Sequence, residues 1–168
     1  MSPAIIFQLQ LLLGYVPWFL CVRAYVLPRL AAMDPVKAQR AIAALHGFRF
    51  FGLAFLVPGV VGPDLPTGFA TFAAYGDFAT GVLAMLALLA FGRRRLFSRL
   101  VIAFNAVGAA DLLVGYYHGV QTGLPTVAGQ LGAAYAIPIL YVPLLMITHV
   151  VAFSLLLRPA PKPHGPRV

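Results

Sequence analysis

The chain has no glutamate, and only four of its 168 residues are acidic. That removes the His-Glu-x-x-His metalloprotease pair and the Glu-x-x-His di-iron arrangement, and no metal-ligand constellation replaces them. A single cysteine, Cys21, rules out both an intrachain disulfide and a Cys-x-x-Cys redox pair. Lysine occurs only at Lys37 and Lys162, outside the apolar runs, so no Schiff-base lysine lies within them. None of the three serines, Ser2, Ser98 and Ser154, stands in Gly-x-Ser-x-Gly, and Ser154 falls on the wrong helix face for a dyad with His149. P-loop and dinucleotide fingerprints are missing.

Charge itself is scarce. Charged residues make up 10% of the chain and apolar ones 61%, with a mean hydropathy of +0.91. A soluble domain carries about 25% charged residues, so a chain this poor in charge cannot cover a water-facing surface, and lipid must be its main solvent. The formal net charge is +8, yet the basic residues lie in short patches between apolar runs. That is the pattern of cytoplasmic loops beside anionic lipid headgroups, not of a nucleic-acid face.

What is present is a series of apolar runs punctuated by breakers, and it predicts an all-α, five-span membrane helical bundle over residues 1–157. The spans fall at about 4–27, 41–61, 67–91, 96–117 and 130–157. The first lacks the basic flank of a cleavable signal and is long enough to cross, so it is expected to remain as a helix. Asp34-Pro35 marks a helix start with a charged first turn leading into the second span. Prolines at 17, 138 and 143 are expected to bend the first and fifth spans. Residues 158–168, with four prolines and three basic residues, read as a basic, disordered cytoplasmic tail.

With five spans, the basic segments (27–41, 93–99 and the tail) all fall on one side. The loops without Lys or Arg (62–66 and 119–129) fall on the other. The positive-inside rule then puts the N-terminus out and the C-terminus in. The expected location is the plasma membrane, specifically a bacterial inner membrane, with a homo-oligomer or membrane-complex subunit as the expected assembly.

Six polar residues inside apolar sequence are the candidate site: His46, Arg49, Asp77, Asn105, Asp111 and His149. An ionised Asp or Arg at a helix centre costs about 2.5–3.5 kcal/mol on insertion scales, so such groups must be paired, protonated or hydrated. Depth counted at about 1.5 Å per residue puts Asp77 near the midplane, within reach of Arg49. An Arg49–Asp77 ion pair is expected, supported by His46, His149 or Asn105. The same count leaves Asp111 in the outer third without a cation, neutral or hydrogen-bonded to Gln8, Gln10 or a tyrosine. Asp77, Gly81 and Ala84 share one helix face, and so do Gly108, Asp111 and Gly115. Small residues there let helices approach closely, so both acids should face the bundle interior. His46 alone of the six is expected near the interface.

The leading functional expectation is small-molecule or proton-linked transport through this buried Arg/Asp/His layer. Three alternatives accompany it. One is haem ligation by His46 and His149. The second is an isomerase built on Asp77 and a histidine. The third is an accessory structural subunit in which the Arg–Asp pair only fixes helix register.

Overall fold

The computed structural model describes residues 1–157, all helix, turn and loop, with no named strand among them. The tail expected at 158–168 lies outside the described residues.

Helix α1 spans Pro3–Ala32. Ser2 caps it, its hydroxyl accepting from the Ile5 N–H at 3.4 Å, with Pro3 in the first turn. Helix α2, Pro35–His46, is capped by Asp34, whose Oδ1 accepts from the N–H groups of Val36 (3.0 Å) and Lys37 (3.3 Å). The chain continues as a 3₁₀ segment, Gly47–Leu56. Helices α3 (Thr67–Leu89) and α4 (Arg94–Gln121) form an antiparallel hairpin. A second 3₁₀ run, Leu124–Tyr135, leads into α5, Ile137–Leu156.

Two prolines shape the long helices in the same way. Pro28 and Pro143 each lack an amide hydrogen, and each ring crowds the carbonyl four residues back. The helix widens to a π-turn just before each one, Val22–Val26 and Ile137–Tyr141. The amides of Leu27 and Val142 reach back five residues, to the carbonyls of Val22 and Ile137. At the second π-turn the Trp18 indole N–H donates to the Leu140 carbonyl at 2.8 Å and ties α1 to α5. The rest of α1 mostly faces outward, with Leu12, Leu13 and Leu20 more than half exposed. Such a surface fits lipid and not water.

Four helices, α1, α3, α4 and α5, are long and apolar enough to cross a membrane. The expected uniform spans at 41–61 and 130–157 differ from what is seen. The first is α2 followed by 3₁₀ and a turn, and the second begins with 3₁₀ and becomes a regular helix only after residue 141. The 3₁₀ geometry of 47–56 accompanies a close approach to α3: a Cβ added at Gly81 would lie 3.0 Å from the Phe50 amide nitrogen.

The two ends of the bundle are fixed by contacts. Arg40 lies 4.3 Å over the Phe91 ring, so the α1–α2 junction and the arginine turn 93–95 share one end. At the other end the Gly62 N–H donates to the Gln130 carbonyl (2.7 Å) and the Ala133 N–H to the Val60 carbonyl (2.9 Å). Gly132, between these bonds, has φ +53° and ψ −128°, and an added Cβ would collide with the Val60 carbonyl oxygen. Gly132→Ala is therefore expected to lower the thermal midpoint of the purified protein. Gly68→Ala, where nothing lies within 4 Å of an added Cβ inside a helix, leaves it unchanged or raised.

Two apolar clusters make the core. Phe97, Val101, Phe104 and Leu155 anchor the one at the basic end, and Phe7, Phe55, Phe69 and Leu131 the one at the loop end. Along α3 the loop-end cluster stops at Ala74 and the other begins at Ala84. Among the described residues, His46, Arg49, Asp77, Thr80, Asn105, Thr148 and His149 are the buried polar residues of the gap, and Gln39 lies at the edge of the basic-end cluster.

Candidate functional site

Arg49 is the centre of that polar layer and has no exposed surface. Its guanidinium carries five N–H donors in a rigid fork, and each faces an acceptor. Nε donates to Asp77 Oδ1 at 2.6 Å, and Nη2 lies 2.6 Å from the same oxygen. Nη2 also donates to Asp111 Oδ2 at 2.5 Å. Nη1 donates to the Gly108 carbonyl at 3.2 Å and faces His149 Nε2 at 3.3 Å.

The hydrogen bonds further out assign the histidine tautomers. The Asn105 amide nitrogen donates to the Val101 carbonyl at 2.8 Å, which leaves its Oδ1 to accept from His149 Nδ1 at 2.9 Å. His149 Nε2 then carries the lone pair that accepts from Arg49, so the ring is neutral. Thr148 Oγ1 donates into the backbone toward the Leu144 and Leu145 carbonyls, both at 2.9 Å, and accepts from His46 Nε2 at 3.1 Å. The His46 and His149 rings lie against each other, centroids 4.1 Å apart and tilted by 41°. His46 Nδ1 and the Gln39 side-chain oxygen are buried without a partner.

Glycines make the room for this arrangement. A Cβ on Gly52 would occupy the place of the Asp77 carboxylate, and one on Gly76 the place of Asp111 Oδ1. On Gly108 it would lie 2.7 Å from both Arg49 Nη1 and His149 Nε2, and 2.6 Å from Thr80 Cγ2. Each charged side chain thus sits in a notch left by a missing side chain on the neighbouring helix.

All six candidate residues meet in one layer, with one departure from expectation. Asp111 was expected to lack a cation, and it shares Arg49 with Asp77. The reason is that α4 runs on to Gln121, four residues past the expected end at Tyr117. Depth counted from Tyr117 is therefore short by about 6 Å at helical rise. His46, expected near the interface, is fully buried within the protein and packs against His149. The haem expectation also falls on geometry. Both His149 nitrogens are engaged by Arg49 and Asn105, and the rings pack on each other instead of opposing across an iron. Among the described residues no group of three or more His, Cys, Asp or Glu is placed to hold a metal ion.

Sequence reading did not single out Gln39, Thr80 or Thr148, which are buried polar residues of the same region. Gln39 donates to the Ala152 carbonyl at 2.8 Å. Its spacing of seven residues from His46 along α2, two turns on one face, was a usable signal.

On the loop-end side of the layer lies a cavity of about 120 Å³. Its wall is almost wholly apolar, including Phe7, Leu11, Phe55, Phe69 and Ile137, and both Asp77 and Asp111 line it. Tyr116 also lines it and shares a 2.6 Å hydrogen bond with Tyr15 of α1.

No curated protein and no solved structure matches the chain. The family described as Domain of unknown function (DUF8737) matches residues 6–157, nearly the whole chain, and the protein belongs to that family.

Proposed function

We propose that the protein is a proton-linked carrier of a small molecule in which the apolar cavity is the loading site and Asp111 the proton-binding group. The observation that carries this is a charge count. Arg49, fully buried, supplies one positive charge, and Asp77, buried, and Asp111, partly buried, supply two negative ones. With both acids ionised the layer holds one uncompensated negative charge, which a low-dielectric interior strongly disfavours. A proton on one carboxyl removes it. Asp77 Oδ1 meets two guanidinium nitrogens, whereas Asp111 has one bond to Arg49 and a buried Oδ1 with no partner. Asp111 is the more weakly held and takes the proton.

The chain makes five crossings in this reading, the second built from α2 and the 3₁₀ segment. The basic end faces the cytoplasm and anionic headgroups, and the cavity lies on the other side of the polar layer, lined by loop-end residues such as Leu124 and Pro125. The bacterial inner membrane and a homo-oligomeric or complex-bound state belong to the same proposal. The π-turns before Pro28 and Pro143 are the points where α1 and α5 can bend.

The test is proton movement across the membrane of proteoliposomes holding a pH-sensitive dye, started by adding small one-ring solutes with a polar end (an amine, an alcohol and an acid in turn) and read against empty vesicles given the same solute. Wild-type protein is expected to carry protons. Asp111→Asn, kept monodisperse in detergent, is expected to fall to the rate of empty vesicles. Equal rates in the two proteins would overturn proton linkage.

A further inference from the structure

Resting on the proton-linked reading, we infer that the cavity takes a small lipophilic amine, bound as its ammonium ion, in exchange for the Asp111 proton. The chemistry of the walls selects it. An apolar chamber lined at one place by carboxylates accepts a molecule with an apolar body and one polar end. The sign of that end follows from the charge count. The layer is neutral when Asp111 holds its proton and carries one negative charge when it does not. An anionic end would add to that negative charge. A neutral end would leave the carboxylate uncompensated whenever the proton departs. An ammonium ion replaces the proton charge for charge.

The exchange balances. The ammonium ion enters, the Asp111 O–H bond breaks, the proton leaves to water, and an ammonium–carboxylate pair forms. Before and after, the sum over Arg49, Asp77, Asp111 and ligand is zero. Phe7, Phe55 and Phe69 line the cavity and supply contact area for the apolar body. The cavity measures about 120 Å³ and is partly open, so a body of one ring or a short chain lodges in it with part of its length in the mouth; an enclosed apolar cavity of about 150 Å³ holds one benzene.

The experiment titrates purified protein in detergent with benzylamine, benzyl alcohol and benzoate, by calorimetry and in weak buffer with a pH indicator. Benzylamine is expected to bind with release of about one proton, and the alcohol and the acid at least tenfold more weakly. Asp111→Asn is expected to abolish the release and weaken benzylamine at least tenfold. Ala73→Phe, which fills the cavity and leaves both acids in place, is expected to abolish binding. Benzyl alcohol binding as tightly as the amine, unchanged amine binding in Asp111→Asn, or no binding by any of the three would overturn the inference. The first two of these leave the dye-flux result standing, so failure of the ligand class is distinct from failure of proton linkage.

Discussion

Replacing Arg49 is expected to be the most damaging single change in the protein. Arg49→Met leaves Asp77 and the partly buried Asp111 without their shared cation, and removes the second donor to the Gly108 carbonyl and the donor to His149 Nε2. Removing one partner of a buried ion pair costs about 3–5 kcal/mol, and here one residue serves two acids. Arg49→Lys is expected to be nearly as harmful, since an ammonium cannot present five donors in a planar fork. Thermal unfolding in detergent, followed by the monodisperse fraction, measures both. The triple variant Arg49→Met, Asp77→Asn, Asp111→Asn removes charge together with its partners and is expected to recover much of the loss. Recovery of stability without recovery of proton flux separates the structural part of the layer from its working part.

The second large effect is expected at Gly108. A methyl group there meets the guanidinium, the imidazole and Thr80 at once, each within 2.7 Å. These groups are fully buried and held by the bonds that define the layer, so none can move aside freely. Overpacking a dense core costs about 1–3 kcal/mol, and displacing Nη1 and Nε2 adds broken hydrogen bonds. Gly108→Ala is therefore expected to lower stability markedly and to stop proton flux. Gly115→Ala, on the same helix and with nothing within 4 Å of its added Cβ, is expected to leave stability unchanged. Parallel thermal scans of the two variants make the comparison.

Much of this arrangement was legible in the sequence because lipid is an unforgiving solvent. A charged residue inside an apolar run has few places to go, so Arg49 and Asp77 point to each other from the sequence alone. The small residues beside the acids marked the faces on which helices approach closely, and Gly108 proved to be the notch for Arg49 and His149. Helix length was less legible. Tyr116, Tyr117 and His118 read as an interface belt, yet α4 continues through them to Gln121, and that shift hid the tie between Asp111 and Arg49. The 3₁₀ geometry of 47–56 was not legible either. An apolar run without internal proline gives no sign of it. It accompanies the close packing of this segment against α3 at Gly81 and Asp77, which is a tertiary effect. Gly52 and Gly76 matter only through what lies opposite them, so composition and spacing along their own helices carry no trace of that role.

The claim on which the rest depends is that Asp111 carries an exchangeable proton within an apolar cavity. A small hydrophobic carbodiimide, diisopropylcarbodiimide, tests it most directly, because it forms a stable adduct with a protonated carboxyl in an apolar site. Peptide mass analysis of the labelled protein is expected to find the adduct on Asp111, decreasing as pH rises and the proton is lost, and absent in Asp111→Asn. Asp34 and Asp64, exposed at the surface, are expected to stay unlabelled and serve as internal references. Labelling of Asp34 and Asp64 with Asp111 untouched at every pH would contradict the account.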